Sequence, residues 1–337
     1  MSPKWRVILM RSFPALLRRE LWEHTALYRL PLALILLVFL GNLATILWGS
    51  DVGIYVALKS RSIHVGNVNE MASSGAGFGQ VAGLSESIRL VMAGIGMMIY
   101  SVMWLLVAIY ALDSLFKERK DKSILFWKSL PVSDVEIVLS KLVTAVVVIP
   151  LIAFVAVAVS QLLTWFMQGM ALGELPDALA TLWDYAGLPH FWVGFLFLEI
   201  EQLLWFFPLV GWLLLCSAWA KKSPATWAFA LPLLLSFIDS AFRLHTGFTQ
   251  LLSERLSFGL FTLGPVATRD GGKIEGMDGL MKTVDSLVTS SFGELMQYLF
   301  RPEVLGGLVV GVIFVALATL IRRRRGDESN LLIPTGA

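Results

Sequence analysis

The sequence predicts an all-α integral membrane protein with six membrane-spanning helices. The chain has 337 residues, of which 56% are hydrophobic and 15% are charged, whereas a soluble domain carries about 25% charged residues. Several apolar runs also reach the roughly 20 residues that cross a hydrocarbon core. Alternating ten-residue strands, which are typical of an outer-membrane barrel, are absent from the sequence.

The six spans follow the apolar runs. Each run reaches or approaches membrane length, and the fifth and sixth are the shortest. The predicted spans are 30–49, 89–112, 140–167, 197–219, 225–242 and 304–321. Residues 1–29 are charged and amphipathic, with no short apolar core before a small-residue cleavage site, so we expect no cleavable signal peptide.

The distribution of positive charge predicts the orientation. Most of the 27 Lys and Arg residues lie in 1–29, 113–141, 220–224 and 322–325. These segments are on one side of the membrane, and Lys and Arg favour the cytoplasmic side. We therefore expect both termini to be cytoplasmic in a bacterial inner membrane, with 322–337 as a basic tail. The predicted extracytoplasmic loops are 50–88, 168–190 and 243–303.

An amphipathic helix precedes the first span. Apolar side chains recur at Leu9, Phe13, Leu16, Leu17 and Leu21, which is the spacing of one helical face. We interpret residues 1–29 as an elbow helix in the membrane interface. It either anchors the topology or also contacts a cytoplasmic partner.

On the opposite side of the membrane, the long segment 243–303 is expected to contain short helices.

Motifs for catalysis are absent from this sequence. It contains no Walker A phosphate-binding loop and no Gly-x-Ser-x-Gly nucleophile elbow. The four histidines are widely scattered and lack the spacing of metal ligands. We therefore expect neither an enzyme nor a cofactor or metal site in this chain, and nothing in the sequence favours a nucleic-acid partner.

A dense polar run lies between the second and third spans. The run Glu118-Arg119-Lys120-Asp121-Lys122-Ser123-Ile124-Leu125-Phe126-Trp127-Lys128-Ser129-Leu130-Pro131-Val132-Ser133-Asp134 is followed by Leu139-Ser140-Lys141-Leu142. This pattern resembles that of ABC-2 type permeases, the membrane subunits of ATP-binding-cassette exporters. The resemblance implies a permease dimer, formed with a second copy or a homologous permease. It also implies separate cytoplasmic ATPase subunits that bind ATP and Mg, and a coupling helix within residues 113–136.

A physical interpretation of the same run agrees with a coupling role. Apolar side chains can fill a groove on a partner, Pro131 can end a helix, and Ser133 or Asp134 can cap the next helix. Glu118 and Arg119 can form charge-assisted hydrogen bonds where partner and membrane meet. The predicted coupling residues are Glu118, Arg119, Lys122, Ser123, Phe126, Trp127, Lys128, Leu130 and Pro131. The alternative is an ordinary basic loop at the membrane interface.

Polar residues in or beside the spans suggest a translocation pathway. Glu199 and Glu201 lie within the fourth span if it begins near residue 191, and at the outer interface if it begins near residue 202. An acid inside a membrane is usually functional. Asp239, near the end of the fifth span, lies either inside the membrane or at its interface. Gln161 can line a polar path or bond between helices, and the second role is more common.

The sequence therefore predicts the membrane permease subunit of an ATP-driven exporter, embedded among membrane lipids. One alternative is a secondary transporter with Glu199, Glu201 or Asp239 as a proton or ion site. Against it, neither an inverted repeat nor paired broken spans are evident. Another alternative is a membrane scaffold or sensor that transports nothing. The sequence does not identify a substrate.

Overall fold

The computed structural model describes residues 3–48, 78–121, 133–171, 183, 187–242, 247–257, 284 and 291–331. Their regular structure is helical, with no strand among them. The helices are α1 (Pro3–Glu23), α2 (Ala26–Trp48), α3 (Phe78–Lys120), α4 (Asp134–Val143), α5 (Ile149–Ala171), α6 (Leu188–Trp219), α7 (Pro224–Ala241), α8 (Phe248–Ser257), α9 (Phe292–Leu299) and α10 (Pro302–Leu331). A π-helical turn, Thr144–Val148, joins α4 to α5 and makes them one continuous rod.

Within the described ranges, six segments are long and apolar enough to cross a membrane. They are Ala26–Leu47, Ile88–Lys120, Asp134–Met170, Leu188–Trp219, Pro224–Ala241 and Pro302–Arg324. The predicted class, a multi-pass helical membrane protein, is thus confirmed. α1 matches the predicted N-terminal helix, and α8 and α9 are short helices within 243–303. The predicted loop 50–88 falls mostly outside the described residues.

Several helices continue beyond the predicted span limits. α3 reaches Lys120 and α4 begins at Asp134, so both ends of the predicted 113–136 loop are helical. α6 begins at Leu188, nine residues before the predicted start of the fourth span at residue 197. The 32 residues of α6 extend about 48 Å, which exceeds the roughly 30 Å of a hydrocarbon core. Apolar runs mark the lipid-facing length, whereas the helices also extend into the flanking polar regions.

The core lies between α3, α5, α6 and α10. α6 and α10 form the most extensive helix pair of the described bundle, and α2 packs on α5. Gly96 of α3 faces the ring of Phe195 on α6 so closely that a Cβ would collide with the ring. By contrast, α7 exposes most of its large apolar side chains, including Phe229, Leu233 and Phe237, as expected of a surface in contact with lipid.

Candidate functional site

The predicted coupling loop is described at its two ends. Residues 122–132, which include the predicted coupling residues Lys122, Ser123, Phe126, Trp127, Lys128, Leu130 and Pro131, lie outside the described residues. The ends are Asp121, next to α3, and Ser133, which caps α4. The Ser133 side chain accepts from the Glu136 backbone N–H at 3.2 Å, and the Glu136 carboxylate accepts from the Ser133 N–H at 2.7 Å. This capping box confirms the predicted cap and sets where α4 begins.

A buried carboxylate ties the first end of the loop to several helices. Glu118, near the end of α3, is only 4% exposed. Its Oε1 atom lies 3.0 Å from Lys141 Nζ on α4 and 3.3 Å from Arg19 Nη2 on α1. Its Oε2 atom lies 2.6 Å from Arg322 Nη1 on α10. The sequence interpretation placed Glu118 at a seam with a partner, whereas the structure places it inside the bundle.

A second buried acid extends this cluster towards α1. Glu20 is 1% exposed, and its Oε1 atom accepts from Lys141 Nζ at 2.9 Å. Its Oε2 atom accepts from the Tyr110 hydroxyl of α3 at 2.7 Å. Lys141 is itself fully buried and therefore bridges two carboxylates. The N-terminal helix is thus bonded to the same lysine as the end of α3.

Arg322 joins both ends of the loop. Its Nη1 atom donates to Glu118 Oε2, and its Nε atom donates to Asp134 Oδ1 at 3.0 Å. Glu118 lies just before residues 122–132 and Asp134 lies just after them. The side chains Glu20, Lys141, Glu118, Arg322 and Asp134 therefore alternate in charge, and we name this series the ion chain. Burying such charges is tolerable only because each has a close partner of opposite sign.

His24 borders the ion chain without adding to its positive charge. Its ring packs edge-on against Tyr110 at 4.9 Å between centroids, and its Nε2 atom lies 3.8 Å from Glu20 Oε2. Burial lowers the pKa of His24 below its ordinary value of 6.5, although Glu20 acts in the opposite direction. Burial prevails because it disfavours the charged imidazolium. His24 is therefore neutral at pH 7.

Arg119 stabilises the end of α6. Its guanidinium donates to the carbonyls of Ser217 and Ala220, the second at 2.9 Å. The last carbonyls of a helix lack intrahelical partners and attract cations. Ser217 Oγ also accepts from the backbone N–H groups of Leu115 and Phe116. Glu118 and Arg119, both predicted to couple to an ATPase, thus bond within this chain.

The predicted pathway acids of α6 are buried. Glu199 is 6% exposed and Glu201 is 1% exposed. Because α6 begins at Leu188, both acids lie within a continuous helix. Glu199 lies about 30 Å from Trp219 along the helix axis, close to the thickness of a hydrocarbon core. The acids are therefore inside the protein, and they lie far along α6 from the end of that helix that Arg119 contacts.

The other predicted pathway residues have structural partners. The Gln161 amide donates to the Met92 carbonyl at 3.0 Å and accepts from the Trp192 indole at 2.9 Å. Gln161 thus bonds between helices, which is the commoner of the two predicted roles. Asp239 accepts from the Thr249 hydroxyl at 3.2 Å, which connects α7 to α8. None of these three hydrogen bonds involves Glu199 or Glu201.

Four of the five residues of the ion chain were not predicted as site residues. Glu20 entered no prediction, and Arg322 counted only towards the orientation. Lys141 counted only towards the orientation and the family pattern, and Asp134 only as a possible helix cap. A signal was present for Lys141, because Lys141 and Ser140 interrupt an otherwise apolar stretch from Ile137 to Val143, where a charge must find a partner. The partners come from distant parts of the chain, so spacing alone does not identify them.

One known protein family matches part of this chain. The fold defines a multi-pass helical membrane protein, and the ion chain defines a buried polar site at one end of its bundle. Residues 86–183, somewhat less than a third of the chain, match the model of the ABC-2 family transporter protein. The matched range includes most of α3, the predicted coupling loop, α4 and α5. The match confirms the resemblance to ABC-2 type permeases. Searches of curated proteins and of solved structures found no match.

Proposed function

We propose that this chain is the permease subunit of an ATP-driven exporter, and that it acts as a dimer with separate ATPase subunits. The ATPase would dock on residues 113–134 and contact the N-terminal helix. Both termini would be cytoplasmic in a bacterial inner membrane. The main support is one observation: the family match includes the predicted loop, and both ends of that loop are bonded into the ion chain.

The ion chain supports a coupling role because it connects the loop to the bundle through short, buried bonds. A loop that transmits motion must be attached to the elements that it moves. Glu118 and Asp134 provide this attachment, and their partners lie on α1, α4 and α10. In this proposal Glu118 and Arg119 position the loop, while 122–132 supplies the surface for the ATPase.

Docking can be tested with Trp127→Ala. Aromatic hot spots contribute about 2 kcal/mol or more to an interface, so this substitution should weaken ATPase binding roughly thirtyfold. The measurement is binding and stimulation of an ATPase encoded beside this chain, with the permease reconstituted in liposomes. The matched control is Trp227→Ala, at an exposed tryptophan on α7. Unchanged binding and unchanged ATP turnover with Trp127→Ala would contradict the assignment of the loop.

A second candidate function rests on the buried acids of α6. Its support is that Glu199 and Glu201 are both buried, and a buried acid in a membrane-spanning helix is a candidate proton or ion site. In an exporter, Glu199→Gln and Glu201→Gln should alter substrate preference but leave ATP-driven turnover, because energy enters at the loop. In a secondary transporter, at least one of them should abolish transport. Uptake into inverted vesicles, driven by ATP or by an imposed proton gradient, distinguishes the two functions.

A further inference from the structure

Arginine side chains bond α10 to its neighbours at two widely separated places. At one end, Arg322 bonds Glu118 and Asp134. Near the other end, Arg255 of α8 donates to the Glu303 carbonyl and to the Trp205 carbonyl of α6, both at 2.6 Å. Glu303 and Arg322 are 19 residues apart, or about 29 Å along the helix. α10 therefore connects the ion chain to α8 across the thickness of a membrane.

α6 and α10 are packed too tightly to slide past each other freely. They run in the same direction, with Gly211 of α6 against Gly311 of α10. A Cβ on Gly211 would lie 2.8 Å from the Gly311 carbonyl oxygen, and a Cβ on Gly311 would collide with the ring of Phe207. Trp212 and Phe314 add a ring contact at 5.5 Å between centroids. Protein interiors this dense transmit displacement.

Arg255 is held by more than its hydrogen bonds. Its guanidinium lies over the Trp205 ring, 3.9 Å from the centroid, which is a cation–π geometry. It also lies against Gly307 of α10, where a Cβ would be 2.7 Å from Nη2. Arg255 therefore bonds both helices of the α6–α10 pair, and α8 can move with that pair.

We propose that Arg322 and Arg255 are positioning residues that connect the coupling loop to α8 through the α6–α10 pair. Displacement of residues 122–132 would act on Arg322 through Glu118 and Asp134. The α6–α10 pair would carry it along its length, and Arg255 would pass it to α8. This inference rests on the proposed function, since it requires a partner that displaces the loop.

Replacing each arginine by lysine distinguishes the effect of bonding two partners at once from the effect of positive charge alone. A guanidinium presents several donors in a fixed fork, so Arg322 reaches two acids at once, whereas a lysine ammonium acts as a point charge. Arg322→Lys keeps the charge but gives up at least one charge-assisted hydrogen bond. Such a bond corresponds to roughly tenfold or more in an equilibrium constant. The population with α4 displaced from α10 should rise accordingly.

The experiment measures distances between spin labels in the full chain in nanodiscs, without an ATPase. All variants carry Cys216→Ser, which removes the single cysteine. Labels at the exposed Val135 and Leu320 report on the ion-chain end, and labels at the exposed Leu251 and Val193 report on α8. The control is Arg324→Lys, at an exposed arginine on the same helix.

Arg322→Lys should add a displaced population in both label pairs, and Arg255→Lys only in the α8 pair. Arg324→Lys should change neither pair. A change in the ion-chain pair alone with Arg322→Lys would overturn the connection to α8, and no change in either pair would overturn the role of Arg322. If Arg322→Lys does not fold, Asp134→Ala removes one of the same bonds and must give the same pattern at smaller amplitude. Because no ATPase is present, failure of the proposed docking leaves this result unaffected.

Discussion

Lys141 offers the sharpest test of the ion chain, because it is buried between two carboxylates. Its Nζ atom lies 2.9 Å from Glu20 Oε1 and 3.0 Å from Glu118 Oε1. Two acceptors of one ammonium group lie roughly 5 Å apart. In Lys141→Met the two carboxylates would face each other without the intervening charge. At an effective dielectric constant of about 20, their repulsion is about 3 kcal/mol.

We therefore expect Lys141→Met to lower the free energy of unfolding by about 3 kcal/mol, at the lower end of the range for breaking a buried ion pair. The loss is not larger because Arg19 and Arg322 still bond Glu118. The assay is equilibrium unfolding in mixed micelles. The matched control is Lys221→Met, at an exposed lysine, which should change the free energy by less than about 0.5 kcal/mol.

A double variant tests the cause of this loss. In Glu20→Gln with Lys141→Met, one of the two facing charges is removed, and the Tyr110 hydroxyl can still donate to the new amide oxygen. The double variant should therefore be more stable than Lys141→Met alone. Equal or lower stability of the double variant would refute carboxylate repulsion as the cause. A loss below about 0.5 kcal/mol for Lys141→Met would refute the structural importance of the lysine.

Two further predictions concern helix packing and pH. Gly311→Ala should lower the free energy of unfolding, because the added Cβ would collide with Phe207. The control Gly306→Ala has open space around it and should be neutral or stabilising in the same unfolding assay. Equal effects of the two substitutions would contradict the tight α6–α10 contact. Burial lowers the pKa of His24, so the folded protein resists its protonation. His24 should therefore not affect the free energy of unfolding above pH 6.5, its ordinary pKa, and should lower that free energy as the pH falls below 6.5. His24→Gln should remove this pH dependence, whereas the control His190→Gln should retain it.

The six spans and the helix cap were predictable because they depend on local patterns. Apolar runs of about membrane length identified each of the six spanning helices that the structure describes, and Ser133 with Glu136 has the spacing of a capping box. The helix limits were less predictable. α3 continues to Lys120 because its last turn is held by ion pairs to other helices, and hydropathy does not detect such pairs.

The direction of the charged side chains could not be predicted from the loop alone. Glu118 lies in a polar run, so a position facing a partner was reasonable, but its partners Arg19 and Arg322 are about a hundred and two hundred residues away in the chain. Its burial changes what a substitution would mean. Replacing Glu118 removes one of the two carboxylates that each of Lys141 and Arg322 bonds, so it should destabilise this chain even when no ATPase is bound.

The π-helical turn at Thr144–Val148 determines how a change of length in this region would affect the chain. Lys141, Ala145, Ile149 and Ala153 are spaced four residues apart, and all are buried. In a regular α-helix each step of four overshoots a full turn by about 40°, so the series would rotate away from the interior. The wider π turn absorbs this overshoot. Deleting one residue there would rotate every side chain beyond it, turning Gln161 away from Met92 and Trp192 while leaving the composition of the span almost unchanged.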